Sequence, residues 1–204
     1  SIKKQILQHK FSFLISFYSH YFFKILKIKN PIPFPASKFK YQNVVLNTRK
    51  DTIDFWACLE SYEPDLTYFL ITVLKENKGS FIDVGGHIGR FTVLMAKNNW
   101  NVLTFEPVKS NYEMILNNLR YNNCLDNANV YNCGLGESIH KQNIYYNSSE
   151  LGESSVVLTD DKKEKSVIEI VDFDSFIKVQ NFKEICVVKI DIEGNEENAI
   201  NGMK

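Results

Sequence analysis

Glycine is scarce in this chain, nine in 204 residues, yet three of the nine (Gly85, Gly86 and Gly89) fall within five positions. Cysteine is scarcer still. Cys58, Cys124, Cys133 and Cys186 are scattered and form no C-x-x-C pair, which excludes a disulfide framework and a zinc site built on such pairs. A reducing, cytosolic compartment is the simplest reading, and the sequon Asn147-Ser148-Ser149 is read as chance. Acid is absent from residues 1 to 50, which carry ten Lys or Arg, although the whole chain balances 24 bases against 24 acids. A basic arm is thus joined to an acidic body, and the zero net charge offers no hint of a nucleic-acid partner. Long apolar runs are missing too. The longest uncharged stretch, "FSFLISFYSHYFF" at 11 to 23, is shorter than the roughly 20 residues a membrane span needs. No small-x-small cleavage site follows it. No internal repeat is present.

The arm still carries information. Aromatic residues at 11 to 23 are followed by Lys24, Lys27 and Lys29. Two readings stand: a basic helix lying on an anionic membrane surface through residues 1 to 30, or a helix packed on the body with solvated lysines. Pro31, Pro33 and Pro35 mark a stiff linker. The expected division is an arm and linker at 1–40 and a main domain at 41–204.

Within the body, "YQNVVLN" and "TIDFWACLE" read as short strands. Glu63-Pro64 opens a helix with Leu66, Phe69, Leu70, Val73 and Leu74 at helical spacing, closed by Gly79. "SFIDVGG" is a continuous apolar run ending in glycine, the pattern of a strand buried on both faces. A helix follows at 90–98, and "NVLTFEP" is a second buried strand. Ser110 and Glu113 have the spacing of a capping box at the start of the next helix. "NANVYNCGLG", 127–136, is a third strand. Residues 137–165 read as a hairpin-like excursion that includes the charged cluster "DDKKEK". "VDFDSFI" is a short helix or turn, and "ICVVKIDIEG", 185–194, is a fourth buried strand before a last helix. This alternation predicts an α/β fold of the Rossmann-like type, a parallel sheet with helices on both faces. Ligands of such sheets sit beyond the carboxyl ends of the strands where strand order reverses. Asp83, Glu106, Gly134 and Asp191 fall at such ends.

The glycine cluster has three functional readings. A dinucleotide fingerprint needs G-x-G-x-x-G, whereas the spacing here is Gly85-Gly86-x-x-Gly89, and Asp83 would set an anion beside the pyrophosphate. An NAD-dependent oxidoreductase is accordingly the weakest reading. A P-loop needs G-K-[ST], which is absent. S-adenosylmethionine carries a sulfonium and an ammonium but no phosphate. Asp83 suits its ammonium, the glycine backbone its close approach, and Glu106 its ribose hydroxyls. The plain structural alternative is that Asp83 caps a helix and the glycines only permit tight packing.

The segments "FIDVGGHIGRFTVLMAK", "VLTFEP", "SNYEMILNNLRYNN", "CGLGE" and "VVKIDIEGNEENAINGM" together resemble the FkbM-type S-adenosylmethionine-dependent methyltransferases over about residues 60 to 204. The resemblance implies a class I methyltransferase fold and O-methylation of a hydroxyl on a sugar, glycan or related small molecule. It implies cofactor binding by Asp83, Gly85, Gly89 and Glu106, with Gly86, His87, Pro107 and Gly134 completing that edge. Gly86 and His87 stand where the family commonly has Ala and Asn; His87 is read as a local hydrogen-bonding group rather than a substrate ligand. By the same resemblance Lys189, Asp191, Glu193 and Glu196 would form the motif at the fourth strand, facing the methyl group. Asp191 is the first candidate for general base and Glu193 the second, with Glu196 as an orienting or capping group. An alternative for this motif is a charged turn in which Lys189 pairs with an acid, and a metal on Asp191 and Glu193 has no third ligand at a clear spacing. Only four core strands of the family's seven are recognised, so the last strands are expected to be missing. A degenerate Rossmann-like binding module, or a fragment without activity, is the competing reading.

Overall fold

The computed structural model describes residues 18, 19, 22, 25, 26, 34–52, 54–74, 79–146, 164–178 and 184–203. Most of the aromatic arm, the sequon and four residues of the "DDKKEK" cluster lie outside the described residues. Among the described residues no helix is long and apolar enough to cross a membrane.

The body opens with an antiparallel hairpin of β1 (Lys38–Tyr41) and β2 (Val44–Asn47). Its alternation sends Phe39, Tyr41, Val44 and Leu46 into the core and leaves Lys38 and Lys40 in solvent. Phe34 is buried in the same core, and its carbonyl accepts the Asp51 amide at 2.8 Å. Packing therefore takes in residues from 34 onward that a proline-based boundary assigns to the arm. "TIDFWACLE" is not a strand. Residues Asp54–Cys58 form a 3-10 turn, because the Asp54 carboxylate reaches back to the Arg49 amide and guanidinium at 2.8–3.0 Å and closes the backbone into a tight loop.

Helix α1 (Pro64–Tyr68) has proline in its first turn, where the missing N–H costs nothing. It continues as a wider turn over Phe69–Val73. Next come β3 (Ser80–Val84), α2 (Arg90–Lys97), β4 (Asn101–Phe105), α3 (Lys109–Tyr121) and β5 (Ala128–Tyr131). The expected third strand breaks after Tyr131. Asn132 turns the chain by donating to the carbonyls of Glu106 and Pro107 at 2.9 and 3.0 Å. Strand β6 (Gly134–Leu135) then joins a second sheet with β7 (His140–Tyr146) and β8 (Glu164–Val171), in the order β6-β8-β7. Helix α4 (Phe173–Lys178), β9 (Ile185–Ile190) and α5 (Glu196–Asn201) follow.

The main sheet is parallel with order β5-β4-β3-β9. The chain moves from β3 outward to β5 and then returns to the far side of β3 as β9. Strand order therefore reverses between β3 and β9, the place where such sheets bind ligands. Every residue of β3 is buried. Phe81 and Val102 face α2, α3 and the hairpin, whereas Ile82, Val84, Leu103 and Phe105 face α4 and α5. Phe105 packs on Tyr131, Phe173 and Phe176 with ring centroids 5.3–6.0 Å apart. β9 is less covered than a strand buried on both faces: Val188 is 39% exposed.

The hairpin is fastened to α3 by amides rather than by apolar contact alone. Asn118 Oδ1 accepts the Asn47 amide at 2.8 Å, and its Nδ2 donates to the Ile88 carbonyl at 2.8 Å. Asn122 holds both polar groups of Val45 at 2.7 and 2.8 Å. Removing Asn118 leaves buried groups unpaired at a cost of about 1–3 kcal/mol each. Asn118→Ala should therefore lower the urea midpoint by an amount of that order, read by circular dichroism.

Candidate functional site

The carboxyl ends of β3 and β9 form the site. Asp83 and Lys189 are paired in register on these strands. Lys189 Nζ lies 3.5 Å from Asp83 Oδ1 and 3.5 Å from Asp191 Oδ2, and donates to the Gly85 carbonyl at 3.2 Å. Burial works to push the Lys189 pKa down. The charges of Asp83, Asp191 and Glu63 outweigh it, and the pKa ends above its ordinary value. The pairing of Lys189 with acids, one of the readings open from sequence, is thus present.

Asp83 is 1% exposed. Its Oδ2 accepts the Thr92 hydroxyl at 2.6 Å, and Thr92 Oγ1 lies 2.9 Å from Thr104 Oγ1. With its proton committed to Asp83, Thr92 accepts from Thr104. Oδ1 of Asp83 accepts no hydrogen bond.

The glycine loop has a packing reason at each glycine. Gly85 adopts φ +84°, and a Cβ there would run into the Asp191 carbonyl. Gly89 adopts φ +88° as the residue before α2. A Cβ at Gly86 would lie 2.5 Å from Thr104 Cγ2 and 2.9 Å from Ile115 Cδ1. His87, also at positive φ, donates its amide to Glu106 Oε2 at 2.9 Å. Its ring Nε2 lies 3.5 Å from Asp54 Oδ1, the local partnership expected of it.

Glu106 is buried at the end of β4. Besides the His87 amide it accepts the Val108 amide at 2.9 Å and Asn111 Nδ2 at 3.3 Å, both on Oε1. Burial raises its pKa, and the donated hydrogen bonds oppose that. Helix α3 starts at Lys109 with Val108 at its N-cap and no side-chain cap. Ser110 lies inside the helix, so the expected Ser110–Glu113 capping box is not what starts it; Glu106 orders this turn from the strand side instead. A carboxylate offers about four lone-pair positions. Three donors are in place, so room for one more remains unless the long Asn111 bond gives way.

Asp191 closes β9, with its amide on the Val84 carbonyl at 3.0 Å and its side chain 45% exposed. Glu193 is exposed, at φ +55°. Glu196 Oε1 accepts the Ile192 and Gly194 amides at 3.1 and 3.2 Å. Its own amide and these two bonds lower its pKa; they order the turn before α5, whose N-cap is Asn195 with no side-chain cap. Gly134 sits in the second sheet, where a Cβ would meet Ile170 Cδ1 at 2.8 Å and Pro107 Cβ at 3.8 Å. Among the described residues, no three His, Cys, Asp or Glu side chains converge to hold a metal ion.

Two groups escaped the sequence reading. Arg90, the residue after Gly89, is buried and donates to the carbonyls of Ala57, Leu59 and Tyr62 at 2.6–2.9 Å. Its guanidinium lies 3.9 Å from the centre of the Tyr41 ring. Glu63, noted only as a helix start, shares an electrostatic environment with Lys189, Asp191 and Asp83. An arginine directly after the loop was the available signal for the first; nothing local marked the second.

A model of the methyltransferase FkbM domain matches residues 83–204. The chain belongs to the FkbM methyltransferase family. "Methyltransferase 1" of Beauveria bassiana (strain ARSEF 2860) is 24% identical over 143 residues, covering 60% of this chain and 57% of that protein. The chain thus spans little more than half of that relative's length. Among solved structures, methyltransferase FkbM from Methylobacillus flagellatus KT is similar at 24% identity and a TM-score of 0.42, covering 61% of this chain and 28% of that one. P. horikoshii TYW2 in complex with MeSAdo is similar at 9% identity and a TM-score of 0.35, covering 58% of this chain and 47% of that one.

Gly85→Ala should destabilise this FkbM-family chain by about 1–3 kcal/mol through left-handed backbone strain alone, and more through the clash at Asp191. The urea midpoint measures it. Asp54 supplies a pH test. Burial opposes its ionisation, but the hydrogen bonds and charges of Arg49 and His87 prevail and hold its pKa well below 3.8. A depressed carboxyl stabilises the fold fully above its unfolded value and loses that contribution as pH falls below it. The urea midpoint should fall more steeply between pH 5 and about 2.5 for the native chain than for Asp54→Asn.

Proposed function

We propose that this chain carries the cofactor-binding part of an S-adenosylmethionine-dependent O-methyltransferase acting on a hydroxyl of a sugar, glycan or related small molecule. The observation that carries the reading is Asp83: a fully buried carboxylate at the strand-order reversal, one oxygen of which accepts no hydrogen bond. The cation beside that oxygen, Lys189 Nζ, stands off at 3.5 Å, and a cationic ligand group donating to it would supply the hydrogen bond that a buried acceptor otherwise lacks at a cost. The residues present suit the cofactor. Asp83 offers an acceptor to the ammonium, the Gly85–Gly89 backbone lies at the crevice, and Glu106 retains one position for a ribose hydroxyl.

The cofactor, when bound, supplies an electrophilic methyl group. The residues of this chain then hold the acceptor oxygen in line with it, an orientation effect worth about 7–11 kcal/mol at its largest. Asp191 is the first candidate to take the acceptor's proton. Its carboxylate is accessible, and Lys189 Nζ lies 3.5 Å from its Oδ2. Glu193, one residue removed on the same turn, is the second candidate. Glu196 keeps the turn in shape through its two amide bonds.

A non-catalytic Rossmann-like module is the second reading. It is favoured by the fact that Gly85, Gly86 and Gly89 each have a packing reason. Calorimetric titration with S-adenosylhomocysteine, with NAD as control, separates the two. Saturable binding of the first alone, lost in the Asp83→Ala, Glu106→Ala double variant, supports the cofactor reading. A folded chain that binds neither supports the module.

A further inference from the structure

Glu63 is the residue whose placement the fold and the proposed chemistry leave without a use. It is the N-cap of α1, yet its side chain makes no capping hydrogen bond. It adopts φ +43° and ψ +56°, left-handed values that a non-glycine residue rarely takes. Its Oε2 is buried and accepts no hydrogen bond.

This unusual conformation is held from both sides. The Tyr62 carbonyl is bound by Arg90 Nη2 at 2.9 Å. The Glu63 carbonyl accepts both the Thr67 amide at 3.1 Å and the Thr67 hydroxyl at 3.0 Å. Arg90 Nη2 also reaches Thr67 Oγ1 at 3.4 Å. Because Arg90 directly follows Gly89, the segment bearing Glu63 is tied to the glycine loop. Strained residues held so firmly cluster at sites that bind or react.

The charge balance points the same way. Three carboxylates, Asp83, Asp191 and Glu63, share this neighbourhood with Lys189 and Arg90. The Arg90 guanidinium is given over to carbonyls and a tyrosine ring. Three carboxylates against two cations leave one negative charge unbalanced, and Arg90 has no donor committed to any of the three. Asp83, almost wholly buried, supplies an independent sign: its Oδ1 accepts no hydrogen bond, and Lys189 Nζ stands 3.5 Å from it. Burial raises the Glu63 pKa against the pull of Lys189, as expected of a carboxyl short of positive charge.

We infer that Glu63 is a cofactor-binding residue, its Oε2 and Asp83 Oδ1, neither of which accepts a hydrogen bond, together receiving the ammonium of the cofactor's amino-acid moiety. The inference rests on the cofactor reading above. An ammonium has three donors and no acceptor, so two carboxylates and one further group saturate it. Recognition of the amino-acid end is thereby separated from recognition of the nucleoside, which falls to Glu106.

Titration of the native chain and of Glu63→Gln with S-adenosylhomocysteine and with 5′-methylthioadenosine, which lacks the amino-acid moiety, tests this. Losing one charge-assisted contact should weaken S-adenosylhomocysteine by roughly 10-fold or more and leave 5′-methylthioadenosine within about 2-fold. Equal weakening of both ligands, or of neither, overturns the assignment of Glu63 and leaves the cofactor reading standing. A folded native chain that binds neither ligand overturns the cofactor reading and this inference with it. Glu63→Asp, which keeps the charge and shortens its reach, replaces the Gln variant should that one melt below the titration temperature. A smaller loss confined to S-adenosylhomocysteine is then expected, and the absence of that selectivity overturns the inference.

Discussion

Lys189 holds the switch point together. Its ammonium is nearly buried between two strands that meet only because the chain leaves β3, builds β4 and β5, and returns on the other side as β9. Burying an unpaired ammonium or carboxylate costs several kcal/mol. Asp83 and Asp191 compensate the lysine, the lysine compensates Asp83, and the Gly85 carbonyl takes a further donor. The ion pair therefore locks the register of β9 on β3 and fixes the mouth of the crevice at once. Removing either partner would leave the other charged and dry. The pair is weak evidence for net stability, since apolar replacements often serve as well; what it supplies here is a charged crevice in which Asp83 Oδ1 still accepts no hydrogen bond.

The glycine loop depends on this arrangement. Gly85 must approach the Asp191 carbonyl closely enough that no side chain fits, and that proximity is set by the β3–β9 pairing. The next residues of the loop lie against α3 at Ile115 and hand the His87 amide to Glu106. Arg90 then leaves the loop in the opposite direction and gathers the carbonyls of residues 57 to 62. A guanidinium satisfies several carbonyls at once because its donors form a rigid planar fork. One short segment of chain thus organises three others: the end of β9, the start of α3 and the turn bearing Glu63. The packing reasons for the glycines and a cofactor reading do not compete, because a loop drawn this tightly against its neighbours also presents its backbone at the strand ends.

Several elements were legible because their signals are local. The buried β3 and β4 appear as unbroken apolar runs, α3 as a helical stripe, and the acids at strand ends as interruptions of those runs. Errors fell where a side chain from elsewhere decided the backbone. The Asp54 turn resembles a strand until its carboxylate is seen closing on Arg49. The third strand ends early because Asn132 bonds to carbonyls 25 and 26 residues away. The Ser110–Glu113 spacing is a good capping box in isolation, but Glu106 had already ordered the turn before it. Gly134 looks like a strand-end glycine, yet the break at Asn132 carries it into the second sheet.

The amino-acid sequence by itself determined the alternation of strand and helix, the parallel sheet it implies, the family and the acids and glycines at the strand ends. These follow from periodicity and from residue types whose backbone preferences act over a few positions. Only the tertiary structure decided which charge answers Asp83, how many of Glu106's lone pairs are already taken, and that Glu63 shares the electrostatic environment of Lys189 and Asp83. Lys189 and Gly85 are 104 residues apart, and Arg90 lies 28 residues from Tyr62. Coulombic and hydrogen-bond energies depend on distance in space, so contacts of this kind leave no mark in the local pattern.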